Sequence, residues 1–148
     1  MKPRIKYKNL EKSDFNHVVK KRVNDYFKDN NLSRNADGRM WFKVWFILGV
    51  TLISYISILY LGSNLSMLSP TMGPVVLLFF ACLLGTFTAF IGLNICHDAI
   101  HESLSSKTWV NNFFGMLFNV IGANRYNWKN MHNSAHHIFT NIDEYDED

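Results

Sequence analysis

Three apolar stretches dominate the pattern of hydrophobic and polar residues along this chain. Residues 41–61 are apolar except for Lys43 at the edge, and residues 75–96 form a second run of similar length. About 20 apolar residues in a helix cross the hydrocarbon core of a bilayer, so each run predicts one transmembrane helix. Residues 109–123 form a shorter apolar run that includes several asparagines. This pattern predicts a re-entrant or interfacial hairpin instead of a crossing.

A fourth pattern, over residues 13–29, predicts an amphipathic helix. Valine and aromatic residues recur there at helical spacing, and lysines occupy the other positions. Ser13 and Asp14 suit a helix start, and Asn30 and Asn31 suit its end. Such a helix could pack on a domain or lie in the plane of the lipid headgroups, and the sequence leaves both possibilities open.

Charge is distributed very unevenly and bears on topology. Residues 1–43 hold twelve of the fifteen Lys and Arg, and residues 44–96 hold none. A basic arm that leads directly into an apolar span favours contact with anionic lipid, or a topology signal, over nucleic acid. Basic residues stay on the cytoplasmic side of a membrane, so the N-terminus and the end of the second span are predicted to be cytoplasmic.

Together these elements predict an all-α integral membrane protein. Its parts are an amphipathic N-terminal helix, two transmembrane spans and a short hairpin. Residues 1–40 are predicted to form a cytoplasmic basic arm, and residues 41–148 a multi-pass membrane domain. The content of 48% hydrophobic residues, with twelve Phe and four Trp, agrees with a membrane bundle.

The histidines are the main candidates for chemistry, because five of the six fall in two short clusters. Side chains four residues apart share one face of a helix, and each cluster contains such a pair. If the hairpin does not cross the membrane, both clusters lie on the cytoplasmic side and can converge on metal. The sixth, His17, is expected to be solvated. The candidate ligands are His97, His101, His132, His136 and His137.

Five imidazoles exceed the three or four protein ligands of a usual zinc site. Imidazole favours iron, zinc, copper or nickel over magnesium or calcium. Asp98 and Glu102, also four residues apart beside the first pair, are expected to accept hydrogen bonds from imidazole N–H groups. Cys82 and Cys96 lie roughly 20 Å apart along one helix, too far for a disulfide, and are expected to be small buried hydrophobes.

The motif HDAIH at 97–101, followed by HNSAHH at 132–137 and later by TNI-x-x-x-DED, resembles two of the histidine boxes of the membrane fatty acid desaturases. The resemblance implies a di-iron centre with eight or more histidine ligands. Such a centre uses O2 and two electrons to remove two hydrogens from adjacent methylenes. It implies that the five clustered histidines are iron ligands and that Asn94 and Trp128 lie beside them.

The same resemblance implies an acyl-CoA or acyl-lipid substrate and a bundle of four spans, of which two are here. Electrons are expected from a separate ferredoxin or cytochrome b5 with its reductase, since no His-Pro-Gly-Gly haem motif is present. The family's third histidine box does not occur in these 148 residues, so the chain alone is expected to be inactive. Glu102 stands where glycine is common in the family.

Three alternatives remain. A related histidine-box hydroxylase or oxygenase would hold its metal with the same kind of histidine cluster. A truncated membrane protein without activity would explain the missing box. An intramembrane zinc protease is the third, because HDAIH has the histidine spacing of HExxH with Asp98 in the place of the general base. That alternative leaves the second cluster unexplained. No nucleic-acid partner is expected.

Overall fold

The structure is a computed structural model that describes residues 14–143 and Asp146. Every regular element in this described part is helical, as predicted. The chain divides into two compact units, residues 1–34 and residues 35–148.

In the first unit, helix α1 spans Phe15–Asp29 and confirms the amphipathic helix over its described part. It begins after Asp14 and ends at Asn30, and Asn31 leaves the helix with a φ of 51°. Asparagine tolerates this left-handed conformation better than most residues. The predicted start at Ser13 lies outside the described residues. None of the helix residues is buried, so the apolar stripe of α1 is exposed within its unit.

In the second unit, helix α2 spans Gly38–Ser63 and contains the first predicted span. Asp37 caps it by accepting a 2.9 Å hydrogen bond from the backbone N–H of Met40. Only three of its 26 residues are buried, and its other faces carry exposed apolar side chains. Such a surface suits lipid or further helices better than water.

A short 3-10 turn, Leu65–Met67, leads towards helix α3, Met72–Phe90. The helical path continues through a π-helical segment, Ile91–Cys96, into helix α4, His97–Ile100. The resulting helix of 29 residues is long and apolar enough to cross a membrane, as is α2. It is longer than the predicted span, so the first histidine cluster begins on this long apolar helix itself.

The third apolar stretch forms two short helices, α5 (Thr108–Gly115) and α6 (Leu117–Val120). Eight and four residues rise about 12 and 6 Å, which is far less than the thickness of a bilayer core. Both helices pack against the π-helical segment. A Cβ added at Gly92 in that segment would lie 3.4 Å from Ile121 and 3.6 Å from Phe118, so glycine permits this close approach.

The remainder consists of helix α7 (Arg125–Lys129), a second π-helical segment (Asn130–His136) and helix α8 (His137–Phe139). The core of the second unit lies between the apolar faces of the short helices and the end of the long helix. Its members are buried apolar side chains from α2, the first π-helical segment, α4, α5 and α6, namely Val44, Ile47, Ile91, Ile95, Cys96, Ala99, Ile100, Val110, Phe114 and Phe118, with Leu104 from the following loop.

The two cysteines differ in environment. Cys96 is fully buried, as predicted, and its thiol donates to the carbonyl oxygen of Phe114 at 3.5 Å. The prediction is wrong for Cys82, which is exposed because it lies on an outer face of α3. Both are free thiols.

Candidate metal centre

The first histidine cluster ends the long helix. The backbone N–H of His101 donates to the carbonyl oxygen of His97 at 3.1 Å, closing one helical turn. This turn brings the two imidazole rings to a centroid distance of 4.5 Å. The local helix thus pairs these side chains as the spacing predicted.

The second cluster lies on the second π-helical segment and the start of α8. A π-helix has a wider turn than an α-helix, with hydrogen bonds between residues five apart. His132 and His137, five residues apart, therefore come together with a centroid distance of 4.7 Å. His132 and His136 also lie near each other, with nearly parallel rings 5.2 Å apart.

The two clusters converge. One nitrogen each of His97, His101 and His132 lies within 4.8 Å of the other two. His137 adds a further approach, because its Nε2 lies 3.4 Å from Nε2 of His101. Nitrogens this close to one another can share one metal ion after adjustment of the side chains; a zinc–nitrogen bond, for example, measures about 2.0–2.1 Å. This all-nitrogen donor set could hold a transition metal and fits one that prefers imidazole.

The pKa of His101 is lowered, first by burial and then by positive charge on His97, His132 and His137, with Asp98 acting in the opposite direction. A lowered pKa favours the neutral ring. A neutral ring keeps the lone pair that a metal ion requires.

Comparison of the sequence with known proteins shows the family. The sequence model of the fatty acid desaturases matches residues 72–148, slightly more than half of the chain and all five clustered histidines. The chain belongs to the fatty acid desaturase family. It resembles an acyl-lipid (8-3)-desaturase of Physcomitrium patens, with 35% identity over 147 residues that cover 99% of this chain and 29% of the relative.

Two other relatives of this desaturase chain are sn-1 linoleoyl-lipid 6-desaturases. An sn-1 linoleoyl-lipid 6-desaturase of Synechocystis sp. is 30% identical, over 94% of this chain and 36% of the relative. One from Arthrospira platensis is 31% identical, over 86% of this chain and 32% of the relative. The chain thus spans about a third of the length of these curated relatives. No solved structure matches it. With this family, the two long apolar helices indicate a membrane protein.

Carboxylates contact two of the histidines of the desaturase chain. Asp98 Oδ1 lies 3.1 Å from Nδ1 of His97, and Asp146 Oδ1 lies 3.0 Å from Nδ1 of His136. A histidine that donates through Nδ1 to a carboxylate presents the lone pair of Nε2 to a metal. Asp98 was predicted from its spacing. Asp146 was not, although the DED motif that contains it was part of the resemblance.

Trp128 covers one side of the histidine cluster. Its ring stacks on His132 with a centroid distance of 4.2 Å and an interplanar angle of 20°, and its centroid lies 5.7 Å from that of His97. Phe118 of α6 packs on the same indole at 5.0 Å. The indole therefore connects α6 to both histidine clusters.

Glu102 and Asn94 make no contact with a histidine among the described contacts. Asn94 Oδ1 accepts a 2.9 Å hydrogen bond from Nζ of Lys43 on α2 instead of one from a histidine. The Glu102 side chain is exposed and has no described contact with a histidine. Its φ is 58°, in the left-handed region that glycine adopts without a steric penalty. This conformation gives a physical reason why a glycine suits the position in desaturases.

Proposed function

We propose that this protein introduces a double bond into an acyl chain of a membrane lipid, at iron held by His97, His101, His132, His136 and His137. The observation that carries the proposal is the convergence of His132 with His97 and His101, in a chain of the desaturase family. The names of the three relatives above, all acyl-lipid or linoleoyl-lipid desaturases, support a lipid-linked acyl chain over acyl-CoA.

Iron is the expected metal because the family resemblance implies a di-iron centre. When bound, it would supply the oxidising power towards O2 that an unactivated methylene requires, since such a carbon has no acidic proton for a base to remove. The chain's own residues would hold the metal and orient its ligands. Asp98 and Asp146 fix the tautomer of two histidines, and Trp128 limits the positions that the His132 ring can take. The remaining histidine ligands implied by the family would come from outside these 148 residues.

An apolar groove in the second unit suits the acyl chain. It has a volume of about 530 Å³ and lies between α2, α3 and α6. Side chains such as Leu48, Leu84 and Ile121 line it, and burial of methylenes against them would stabilise binding. Holding the chain in one position beside the metal supplies much of the rate of such a reaction.

The proposal includes a topology. The backbone N–H of Ala36, just before α2, donates to the carbonyl oxygen of Ser103, just after the first histidine box. The start of α2 and the end of the long helix therefore lie on the same side of the membrane, and the basic arm favours the cytoplasmic side. The shortness of α5 and α6 supports a hairpin that does not cross. Two further spans would complete a four-span bundle, and a separate ferredoxin or cytochrome b5 would deliver electrons there.

A chimera tests the proposal. The matching segment of the Physcomitrium patens relative is replaced by this chain, and the lipids of cells that express the chimera are analysed for double bonds. We expect desaturated product, and we expect none from the His132→Ala chimera. Product from the His132→Ala chimera at the rate of the unaltered chimera would refute the role of the cluster. His17→Ala is the matched control and should leave the product unchanged.

A further inference from the structure

A second cavity, on another side of α6 from the apolar groove, has basic and amide side chains. Its volume is about 350 Å³, enough for a small polar group. None of the six described residues that line it is acidic. They are Met116, Asn119, Asn124, Arg125, Tyr126 and Lys129.

The asparagines present donors to this basic cavity. Asn124 Oδ1 accepts from the backbone N–H of Asn127 at 2.9 Å, and Asn119 Oδ1 accepts from that of Arg125 at 3.0 Å. Their oxygens are thus engaged with the backbone. The NH2 group of Asn119 donates to Sδ of Met116 at 3.8 Å, which leaves it one further N–H donor, and the NH2 group of Asn124 has no acceptor among the described contacts. Arg125 donates to Asn112 at 2.6 Å. Asn112 is neutral, and no carboxylate contacts Arg125 among the described residues. The cavity therefore combines two cations with amide donors, a set that selects an anion.

Arg125 and Lys129 are four residues apart on α7, so both cations lie on one face of that helix. Trp128, on an adjoining face, stacks on His132. The cation pair is thereby attached to the same short helix that contacts the histidine cluster.

Helix α6 separates the basic cavity from the apolar groove. Asn119 lines the basic cavity, while Leu117 and Val120 line the groove. Four helical residues rise only about 6 Å. A single molecule with an anionic head and an apolar tail can therefore extend across α6.

We propose that the basic cavity binds the phosphate of a glycerophospholipid whose acyl chain occupies the apolar groove. The inference rests on the proposed function and names its substrate class. Arginine matches the geometry of phosphate through paired N–H donors, and lysine adds a point charge. An uncharged glycolipid headgroup would leave both cations without an anionic partner at this site.

Lipid binding by the iron-free chain tests the inference without requiring turnover. The chain is held in maltoside detergent and offered phosphatidylglycerol with a photoreactive acyl chain. A galactosyl diglyceride with the same acyl chains is the second probe. We expect cross-linking to the phospholipid at roughly tenfold lower concentration than to the galactolipid, because charge-assisted hydrogen bonds are lost without phosphate. Cross-linking should weaken as salt is added.

Variants locate the site. Lys129→Gln and Arg125→Gln should each weaken phospholipid binding roughly tenfold. Lys107→Gln, an exposed lysine outside the cavity, is the matched control and should change nothing. Lys129 has no structural hydrogen bond among the described contacts, so its variant remains informative if Arg125→Gln does not fold. Binding is measured on the iron-free chain, so loss of the metal centre does not affect this test, which separates it from that of the proposed function.

Four results would overturn the inference. The first three are equal binding of both lipids, unaltered binding by Lys129→Gln, and displacement of the phospholipid by acyl-CoA at much lower concentration than by phosphatidylglycerol. This third result would assign the cavity to the phosphates of a thioester substrate. Displacement by inorganic phosphate alone, without a contribution from the acyl chain, would likewise contradict a lipid that spans both cavities.

Discussion

Nε2 of His137 lies 3.4 Å from Nε2 of His101, although 36 positions separate the two residues in the chain. The contact depends on the second π-helical segment, which ends immediately before His137. Its wider turn brings His137 to the side on which His132 faces the first box. The two boxes thereby form one cluster, and the following predictions probe its parts.

Loss of a clustered histidine should remove bound iron. In the chain reconstituted with ferrous iron, His132→Ala and His101→Ala each delete an imidazole from the centre of the cluster, so we expect most of the iron to be lost on desalting. Iron per chain, measured by elemental analysis, is the readout. His17→Ala should retain the iron of the unaltered chain. Full retention by His132→Ala would contradict the ligand assignment.

The carboxylates should tune affinity for the metal. Asp98→Asn and Asp146→Asn remove the acceptors of His97 and His136, and loss of such a partner typically weakens metal binding about 10–100-fold. Titration with a spectroscopic cobalt probe measures the change. Glu102→Gln is the control, because its side chain has no described contact with a histidine. An equal effect of Glu102→Gln would mean that general charge, and not these hydrogen bonds, sets the affinity.

Glycine at position 102 should stabilise the fold. A side chain in the left-handed conformation costs roughly 1–2 kcal/mol, part of which is offset by the greater freedom of glycine in the unfolded chain. We expect Glu102→Gly to raise the free energy of unfolding by up to about 1 kcal/mol and Glu102→Val to lower it. Thermal unfolding in detergent measures both. Ser106→Gly, where φ is not positive, should not stabilise.

Accessibility should report the topology. In a chain whose two cysteines are replaced by serine, we introduce Ser66→Cys between α2 and α3, or Lys107→Cys between the first box and α5. An impermeant maleimide applied to intact cells should label position 66 only. Label at position 107 without disruption of the membrane would place the first box outside the cell and overturn the proposed side.

The 148 residues alone should form no double bonds. Five histidines are fewer than the eight or more that the family resemblance implies, and two spans leave the apolar groove open on one side. The measurement is expression of this chain with an electron-donor system and a labelled acyl lipid. Reproducible product would mean that the chain completes its site, for instance by self-association.

Much of this architecture follows from local sequence patterns. The lengths of the apolar runs predicted α2 and the long helix, and the four-residue spacing of His97 and His101 predicted their pairing. The π-helical segments were not predictable, because hydrophobic periodicity does not reveal one extra residue in a turn. The contact of Asp146 with His136 and that of Lys43 with Asn94 depend on tertiary folding over 10 and 51 positions, which local spacing does not encode.

The continuous helix Met72–Ile100 couples the histidine cluster to the thickness of the bilayer. Its 29 residues correspond to about 43 Å of helical rise, roughly 13 Å more than a typical hydrocarbon core. Tilting or local deformation of the bilayer accommodates such a mismatch. Since no loop separates the span from His97, each adjustment also shifts the first histidine box relative to the lipid headgroups. A change in lipid composition that alters the thickness of the bilayer would therefore shift the position of the metal centre.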